Sequence, residues 1–389
     1  MKKLVLAVLF LAGILFAAGC AEENDEELTV YVATDLHYLA PELYDDGEVF
    51  QRLLKSNDGK LIERGTEILD AFVKEVKENH PDIVLLTGDL TFNGEMVSLR
   101  ELKTVLEGLQ KEGITVLVLP GNHDIRYPYA CSYLGDQLVH VENISEKQFR
   151  AEMEEFGLRQ AVSVDPASFS YVYAASSEFW IIALDANTED APGALKEETL
   201  AWLEARLKEA KKKGIRVITC SHQNVLPQSP DMSYGFAMHN HGETSSLLEE
   251  YGVTLNLSGH VHFQHEAVQG SLKDIATESI AVWPLRYGVL HVNGPDLVYE
   301  KKDLGIYEEE AYARICEVLA GSFDDLFAAM DLDEETERQM REFAERAIAA
   351  QYAGNSEMLA EIKDEEMLAA WKKEAGDSGI YRYLLEAFR

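Results

Sequence analysis

Short apolar runs recur along the chain at residues 28–34, 82–87, 114–119, 179–184, 216–220 and 254–257, each ending in polar or glycine-rich sequence. Runs of four to seven apolar residues bounded by such breaks predict buried strands. Between them lie longer stretches with helical spacing. Residues 62–79 put Ile68, Leu69, Phe72, Val73 and Val76 on one face, and His80-Pro81 stops the pattern. Residues 97–112 form a second helix ended by Gly113, and residues 197–214 a third with Leu200, Leu203 and Leu207 on its core face. The alternation strand-helix-strand-helix-strand predicts parallel pairing with right-handed crossovers, an α/β fold. In such sheets ligands bind beyond the carboxyl ends of the strands.

Other segments break this rhythm. The stretch after Asp35-Leu36-His37 reads as a long polar loop through Gly59. Residues 127–160 are irregular, with a helical patch at 147–156, and read as an insertion over one rim. Residues 277–298 read as paired strands that close a second sheet against the first. From Tyr307 the pattern is helical, over about 307–330, 334–353 and 356–388, and carries no ligand-type cluster. Packing, dimerisation or spacing is the role expected of it. The domain plan is therefore a leader at 1–19, a tether at 20–27, a main domain at 28–305 and a C-terminal helical unit at 306–389.

The leader has a basic start at Lys2-Lys3, an apolar core from Leu4 to Phe16, and small residues Ala17-Ala18-Gly19 before Cys20. It resembles the lipobox of bacterial lipoproteins, in which the cysteine is lipidated, and the acidic stretch after it suits a tether. The alternative is a plain secretory signal. Acyl chains on Cys20 would hold an exported protein on the outer side of the cell membrane without a spanning helix. Cys131, Cys220 and Cys316 are too few and scattered for a disulfide framework. The balance of 35 basic against 69 acidic residues gives a net charge of −34. That field repels nucleic-acid polymers and anionic surfaces, and leaves a small phosphoester held by cations as an acceptable partner. Oligomeric state is not legible.

Candidate chemistry sits at the ends of the apolar runs. Asp35-Leu36-His37, Gly88-Asp89, Gly121-Asn122-His123-Asp124, Ser221-His222 and Gly259-His260-Val261-His262 contain only oxygen and nitrogen donors. Two divalent ions roughly 3.5–4 Å apart can clamp a phosphoester and lower the pKa of a water. Holding them so close requires a shared carboxylate and neutral imidazole and amide ligands. Without cysteine, the set disfavours a structural zinc site and suits two divalent or trivalent ions, Mn, Fe or catalytic Zn.

In this order the five blocks resemble the calcineurin-like metallophosphoesterase superfamily. That resemblance implies an α/β four-layer αββα sandwich of two mixed sheets with the site at one edge, here with a C-terminal helical appendage. Carried over by position, Asp35, His37 and His262 would hold one metal, Asn122, His222 and His260 the other, and Asp89 would bridge them. His123 would stand beside the leaving group, with Asp124 orienting its imidazole. Departures narrow the branch. The run after Asp89 is Leu90-Thr91-Phe92-Asn93-Gly94-Glu95, without the arginine of protein phosphatases, and Phe92 stands where purple acid phosphatases have a tyrosine ligand. Gly193, Leu195, Leu200, Trp202 and Leu203, after Asp185-Ala186-Asn187, resemble the phosphodiesterase branch that includes class III cyclic-nucleotide enzymes.

Three further residues are candidates for touching substrate. Asn93 could donate to a phosphoryl oxygen or cap a helix; His239 and His241 could line the mouth or lie in a solvated loop. Tyr38 and Tyr44 could stack on a base or pack at the rim. The expectation is a metal-dependent phosphodiesterase acting on small esters, cyclic nucleotides first. The alternatives are a phosphomonoesterase such as a 5′-nucleotidase, or a binding lipoprotein with a vestigial site.

Overall fold

The computed structural model describes residues 27–229, 234–330 and 332–388. The leader and the lipidation candidate Cys20 lie outside the described residues. In chain order the elements begin β1 (Leu28–Ala33), α1 (Glu48–Ser56), α2 (Gly65–Asn79), β2 (Ile83–Thr87), α3 (Met96–Lys111) and β3 (Thr115–Leu119). An excursion follows: hairpin β4 (Cys131–Leu134) and β5 (Gln137–His140), then α4 (Glu146–Met153). Next come β6 (Ser163–Val164), β7 (Tyr171–Ala174), β8 (Phe179–Leu184), and the short pair β9 (Asn187–Thr188) and β10 (Ala191–Pro192). Then follow α5 (Glu197–Lys213), β11 (Arg216–Ser221), α6 (His241–Glu250) and β12 (Leu255–Ser258). Hairpins β13 (His265–Gln269) with β14 (Leu272–Ala276) and β15 (Arg286–Asn293) with β16 (Asp296–Asp303) complete the strands.

These strands form two mixed sheets. One has the order β16-β15-β1-β2-β3, the other β13-β14-β12-β11-β8-β7-β6. In the first, β1, β2 and β3 are parallel, with Val30 opposite Ile83 and Ile83 opposite Thr115. In the second, β8, β11, β12 and β14 are parallel. Every residue of β2 and β8 is buried, as strands covered on both faces require. Period-two alternation decides which core each side chain enters. Ile181 and Ala183 of β8 join the core shared with the first sheet and α2, which includes Val30, Leu85, Ile68 and Phe72. Trp180, Ile182 and Leu184 face the other way, against Leu200, Leu203 and Leu207 of α5 and Leu248 of α6. The result is the expected αββα layering.

Three expectations need correction. The polar stretch before Gly59 contains helix α1, which buries only Val49 and Phe50 and therefore leaves a weak apolar signal. The paired strands near 277–298 do not build the second sheet: β15 adds antiparallel to β1, with Tyr31 opposite Val289, so they extend the first. The last C-terminal helix is three. After α7 (Glu308–Phe327) and α8 (Glu334–Tyr352) come α9 (Ser356–Ile362), α10 (Glu365–Ala375) and α11 (Gly379–Ala387). The breaks fall where Asp364 accepts from the amides of Glu366 and Met367, and where the Ser378 hydroxyl accepts from the amide of Tyr381, each opening a new helix. These helices have their own core around Phe323, Phe327, Met340, Phe343 and Trp371. Cys131 and Cys220 are buried free thiols and Cys316 is free as well. Among the described residues no helix is long and apolar enough to cross a membrane.

Candidate metal centre

All five clusters reach one place because the parallel strands of both sheets point their carboxyl ends at the same edge. Asp35 and His37 follow β1, Asp89 follows β2, Asn122 and His123 follow β3, His222 follows β11, and His260 and His262 follow β12. Backbone bonds lock the turns together. The amide of Asp35 donates to Gly88 O at 3.0 Å, that of His37 to Asp89 O at 3.0 Å, and that of Gly259 to His222 O at 3.0 Å. The amide of His260 donates to Asp35 Oδ2 at 2.9 Å, which ties the two sheets to each other. Close approach explains two glycines. A Cβ on Gly121 would lie 2.1 Å from Asp89 Oδ1, and one on Gly259 would lie 2.0 Å from Thr34 Oγ1. Asp35, His37, Asp89, His260 and His262 all have left-handed backbone, with φ of 53°, 44°, 49°, 73° and 61°. Such conformations aim side chains off the ends of the strands at a steric cost.

Donor atoms converge in two groups that share Asp89. Asp35, His37, Asp89 and His262 form one, and Asp89, His222 and His260 the other, with the atoms of each group within 4.8 Å of one another. In the first, the Nε2 atoms of His37 and His262 are 3.1 Å apart, and His262 Nε2 is 3.2 Å from Asp35 Oδ1. Asp35 Oδ1 and His37 Nδ1 are buried without a hydrogen-bond partner. In the second, His222 Nε2 is 3.3 Å from Asp89 Oδ1 and 3.0 Å from Asn122 Oδ1. His222 Nδ1 donates to Thr87 O at 2.9 Å, which leaves Nε2 as the atom turned to the cluster. His260 uses Nε2 toward Gly235 O at 2.9 Å, so its Nδ1 is the free donor.

The electrostatics match a cation site. Burial works against ionising Asp35 and Asp89, but the surrounding imidazoles outweigh it and hold both below the usual carboxylate range. Burial, and then the positive charge of Lys60, keep His37 well below the ordinary imidazole range. Burial and the neighbouring His222 lower His260 to about 4. His222 goes the other way. Burial opposes its charge, yet Asp89 and Asp35 lift it to about 9. Two buried carboxylates therefore draw positive charge, here onto His222, while the neutral imidazoles of His37 and His260 and the amide oxygen of Asn122 surround the same space. These residues fit two metal ions.

Beside the donors stands His123. Its Nδ1 contacts Phe92 O at 2.9 Å and Asn93 Oδ1 at 3.0 Å, two acceptors that fix the proton on Nδ1. Tyr127 stacks on the ring, with centroids 4.0 Å apart and planes 21° from parallel. The expected support from Asp124 is a correction. Its carboxylate is buried and accepts from the amides of Leu90, Thr91 and Gly121 and from the Thr91 hydroxyl, at 2.7–3.0 Å. It pins the turn that carries Asn122 and His123 and does not touch the imidazole. Burial and the charge of Asp89 raise it to about 6, while the donated hydrogen bonds oppose that rise. Asn93 is buried and backs His123; it does not cap the following helix, whose N-cap Glu95 makes no side-chain cap bond.

Other candidates fall outside this cluster. Tyr38 is buried with its hydroxyl donating to Glu101, and Tyr44 stacks on Phe50 with centroids 4.4 Å apart, so both pack as rim residues. His239 is exposed, with its amide donating to Gly193 O at 2.8 Å, and His241 begins α6. No contact joins either imidazole to the donors among the described residues. Reading the sequence missed Asp58 and Lys60. Asp58 Oδ2 is 3.7 Å from His262 Nδ1, and Lys60 Nζ donates to Asp58 at 2.5 and 2.6 Å. A charged Asp-Gly-Lys turn directly after a polar helix is an ordinary surface pattern, so nothing local marked it. Tyr127 was passed over as part of an irregular stretch.

Parallel strand ends that deliver carboxylates, imidazoles and an amide to one shared centre define a binuclear metal site on an αββα sandwich. The profile of the calcineurin-like phosphoesterase family matches residues 28–264, and the chain belongs to that family. It is 26% identical over 243 residues to a 3′,5′-cyclic-nucleotide phosphodiesterase of Nostoc sp., covering 61% of this chain and 73% of that protein. It is 24% identical over 197 residues to a Moraxella catarrhalis protein named "Probable cyclic nucleotide phosphodiesterase", covering 50% of this chain and 63% of that protein. The match thus spans less than two thirds of the Moraxella protein. Among solved structures, a dimetal phosphatase from Danio rerio has the same fold, with a TM-score of 0.54, 18% identity, and coverage of 71% of this chain and 96% of that one.

Proposed function

We propose that the chain is a two-metal phosphodiesterase that hydrolyses small phosphodiesters, with cyclic nucleotides the leading substrates. The observation that carries this is the pair of donor groups sharing Asp89, with His123 beside them. The names of the relatives support the diester class. Exposed aromatic rings near the centre suit a nucleobase: Tyr129 packs edge-on to Tyr127, and the Phe236 ring is 6.1 Å from that of His260.

In this reading Asp35, His37 and His262 hold one ion, Asn122, His222 and His260 the other, and Asp89 is common to both. Bound there, the ions supply the Lewis acidity that activates water and offsets phosphoryl charge, and Mn, Fe and Zn all suit the donors. The protein's own part is positioning and proton handling. Asp89 also accepts from the amide of His123 at 2.8 Å, so the shared carboxylate sets where that residue stands. With Nδ1–H engaged by Phe92 O and Asn93 Oδ1, the Nε2 lone pair of His123 is the atom able to take up the proton released by the attacking water and then hand it to the leaving alkoxide. Tyr127 keeps the ring from rotating away.

The same proposal has the main domain at 28–305 as the enzyme, exported and anchored by acyl chains on Cys20. Mn²⁺-loaded protein should hydrolyse bis-p-nitrophenyl phosphate and cyclic nucleotides, and Asp89→Ala or His222→Ala should abolish this. Undiminished turnover by both variants would sink the assignment. Faster turnover of 5′-nucleotides than of any diester would move it to the monoesterase alternative. Anchoring is tested separately: Cys20→Ala should shift the protein from the membrane fraction to the medium.

A further inference from the structure

Two sheets supply the ligands of the second donor group. Asn122 follows β3 of the first sheet and His222 follows β11 of the second, yet Asn122 Oδ1 and His222 Nε2 stand 3.0 Å apart. No strand ladder joins β3 to β11, so their alignment comes from contacts across the layers. The bond from His222 Nδ1 to Thr87 O orients that ring against β2, not against β3. Farther back, the Tyr171 hydroxyl of β7 donates to Val118 O at 3.0 Å, which ties the strand β3 rather than the turn after it.

One contact joins the two turns directly. Asn187, in β9 just past the end of β8, and Gln223, the residue after His222, are both 4% exposed. Their side-chain amides pair reciprocally: Asn187 Nδ2 donates to Gln223 Oε1 at 3.1 Å, and Gln223 Nε2 donates to Asn187 Oδ1 at 2.6 Å. Asn187 Nδ2 also donates to Pro120 O at 3.0 Å, at the start of the turn that carries Asn122. A carbonyl can only accept, so Pro120 decides which end of the Asn187 amide faces it, and the pairing then orients Gln223. Asn187 is itself held: its backbone amide donates to Asp185 Oδ1 at 2.7 Å, and Asp185 Oδ2 accepts from the amide of Phe169 at 2.8 Å. The Ser221 hydroxyl donates to Gln223 O at 2.8 Å and closes the turn around His222.

Stability alone does not account for the pair, because two buried amides contribute little net energy over apolar side chains of the same shape. What they add is direction: two opposed hydrogen bonds fix a distance and an angle, which apolar packing leaves loose. The first donor group does not depend on this contact. It is joined across the sheets by the His260 amide on Asp35 Oδ2 and the Ser279 hydroxyl on Asp35 O, at 2.9 and 2.8 Å.

We propose that Asn187 and Gln223 are positioning residues that set the separation of Asn122 and His222, and through it the affinity of the second metal site alone. The inference rests on the two-metal reading above. It also gives a part to the Asp185-Ala186-Asn187 turn, which lies outside both donor groups.

The test loads the full chain with Mn²⁺ and follows uptake by electron paramagnetic resonance, in which a neighbouring ion couples to the first and broadens its signal. Asn187→Leu with Gln223→Leu should bind the second ion about tenfold more weakly, and show uncoupled Mn²⁺ at concentrations that couple the parent. Uptake of the first ion and the denaturant midpoint should stay near those of the parent. Exchanging the two residues, Asn187→Gln with Gln223→Asn, restores a reciprocal pair of the same total length and should recover most of the second-ion affinity. Gln223→Asn alone, too short to pair, serves with the same readings should the leucine variant fail to fold. Second-ion affinity within about twofold of the parent overturns the proposal. So does equal weakening of both ions, or an exchanged pair that binds no more tightly than the leucine variant. A parent that couples two ions through this pair yet hydrolyses no ester would sink the functional reading and leave this one standing. A hydrolase whose second ion is indifferent to both residues would do the reverse.

Discussion

Asn93 Oδ1 lies 3.0 Å from His123 Nδ1. This buried amide together with Phe92 O, and not the neighbouring Asp124, sets the tautomer of the imidazole. Asn93→Ala should leave Phe92 O as the sole acceptor and let the ring rock about its contact with Tyr127. We expect kcat to fall about 10- to 100-fold with both metals retained. His123→Ala should lose about 10²- to 10⁴-fold, again with both metals in place, whereas Asn122→Ala should weaken the second metal itself. Steady-state kinetics beside metal analysis separates these outcomes.

Asp124 calls for a different result. Its carboxylate gathers four donors, and Asp124→Asn would turn an NH₂ toward some of them. The expected loss is on the order of 2 kcal/mol in denaturant unfolding, together with weaker metal binding as the Gly121–Asp124 turn loosens. A variant with parental stability and a selective loss of turnover would show that Asp124 acts on His123 after all.

Gly121→Ala would place a methyl 2.1 Å from Asp89 Oδ1. It would also lie 2.2 Å from the backbone nitrogen of Asp89, so a turn of that side chain alone gives no relief and the shared carboxylate must move with its backbone. Metal occupancy should drop from two ions toward one or none, while the circular dichroism spectrum stays near that of the parent. Full occupancy in Gly121→Ala would show that the turn yields at little cost.

Glu278 gives a stability prediction away from the metal donors. It is fully buried, neither carboxylate oxygen has a hydrogen-bond partner, and burial raises it from 4.5 to about 7. The fold thus favours the neutral acid. Its contribution is complete below the unfolded value and is lost as pH rises through about 7. Between pH 4.5 and 7.5 the parent should lose on the order of 3 kcal/mol relative to Glu278→Gln, which has no proton to release. Parallel stability-pH curves for the two proteins would refute this.

Much of the centre was legible because its donors sit at strand ends, and apolar runs mark strand ends well. Asp35, Asp89 and Asn122 need only the parallel topology of the first sheet to meet. His222, His260 and His262 need the second sheet as well, which the runs at 216–220 and 254–257 announced. What escaped was set by tertiary contact. Asp58, paired with Lys60, meets His262 only across a long stretch of chain, and no local spacing announces that contact. The pairing of β15 with β1 was hidden for a similar reason: an antiparallel hairpin fits the edge of either sheet. Asn93 holds the place beside His123 that was expected of Asp124, because both are short polar residues in adjacent turns and only geometry shows which one faces the ring.

The left-handed backbone at Asp35, His37, Asp89, His260 and His262 has a consequence for how such a site can persist. At about 1 kcal/mol each, these conformations cost an amount comparable with the lower end of a domain's whole stability. A glycine at His262 would relieve one of them, so His262→Gly should melt at a higher temperature than the parent in chelator. A fold that gains by discarding its ligands will shed them wherever they are idle. A full set of unreplaced donors in strained positions is therefore a sign of continued use, and it weighs against a relic.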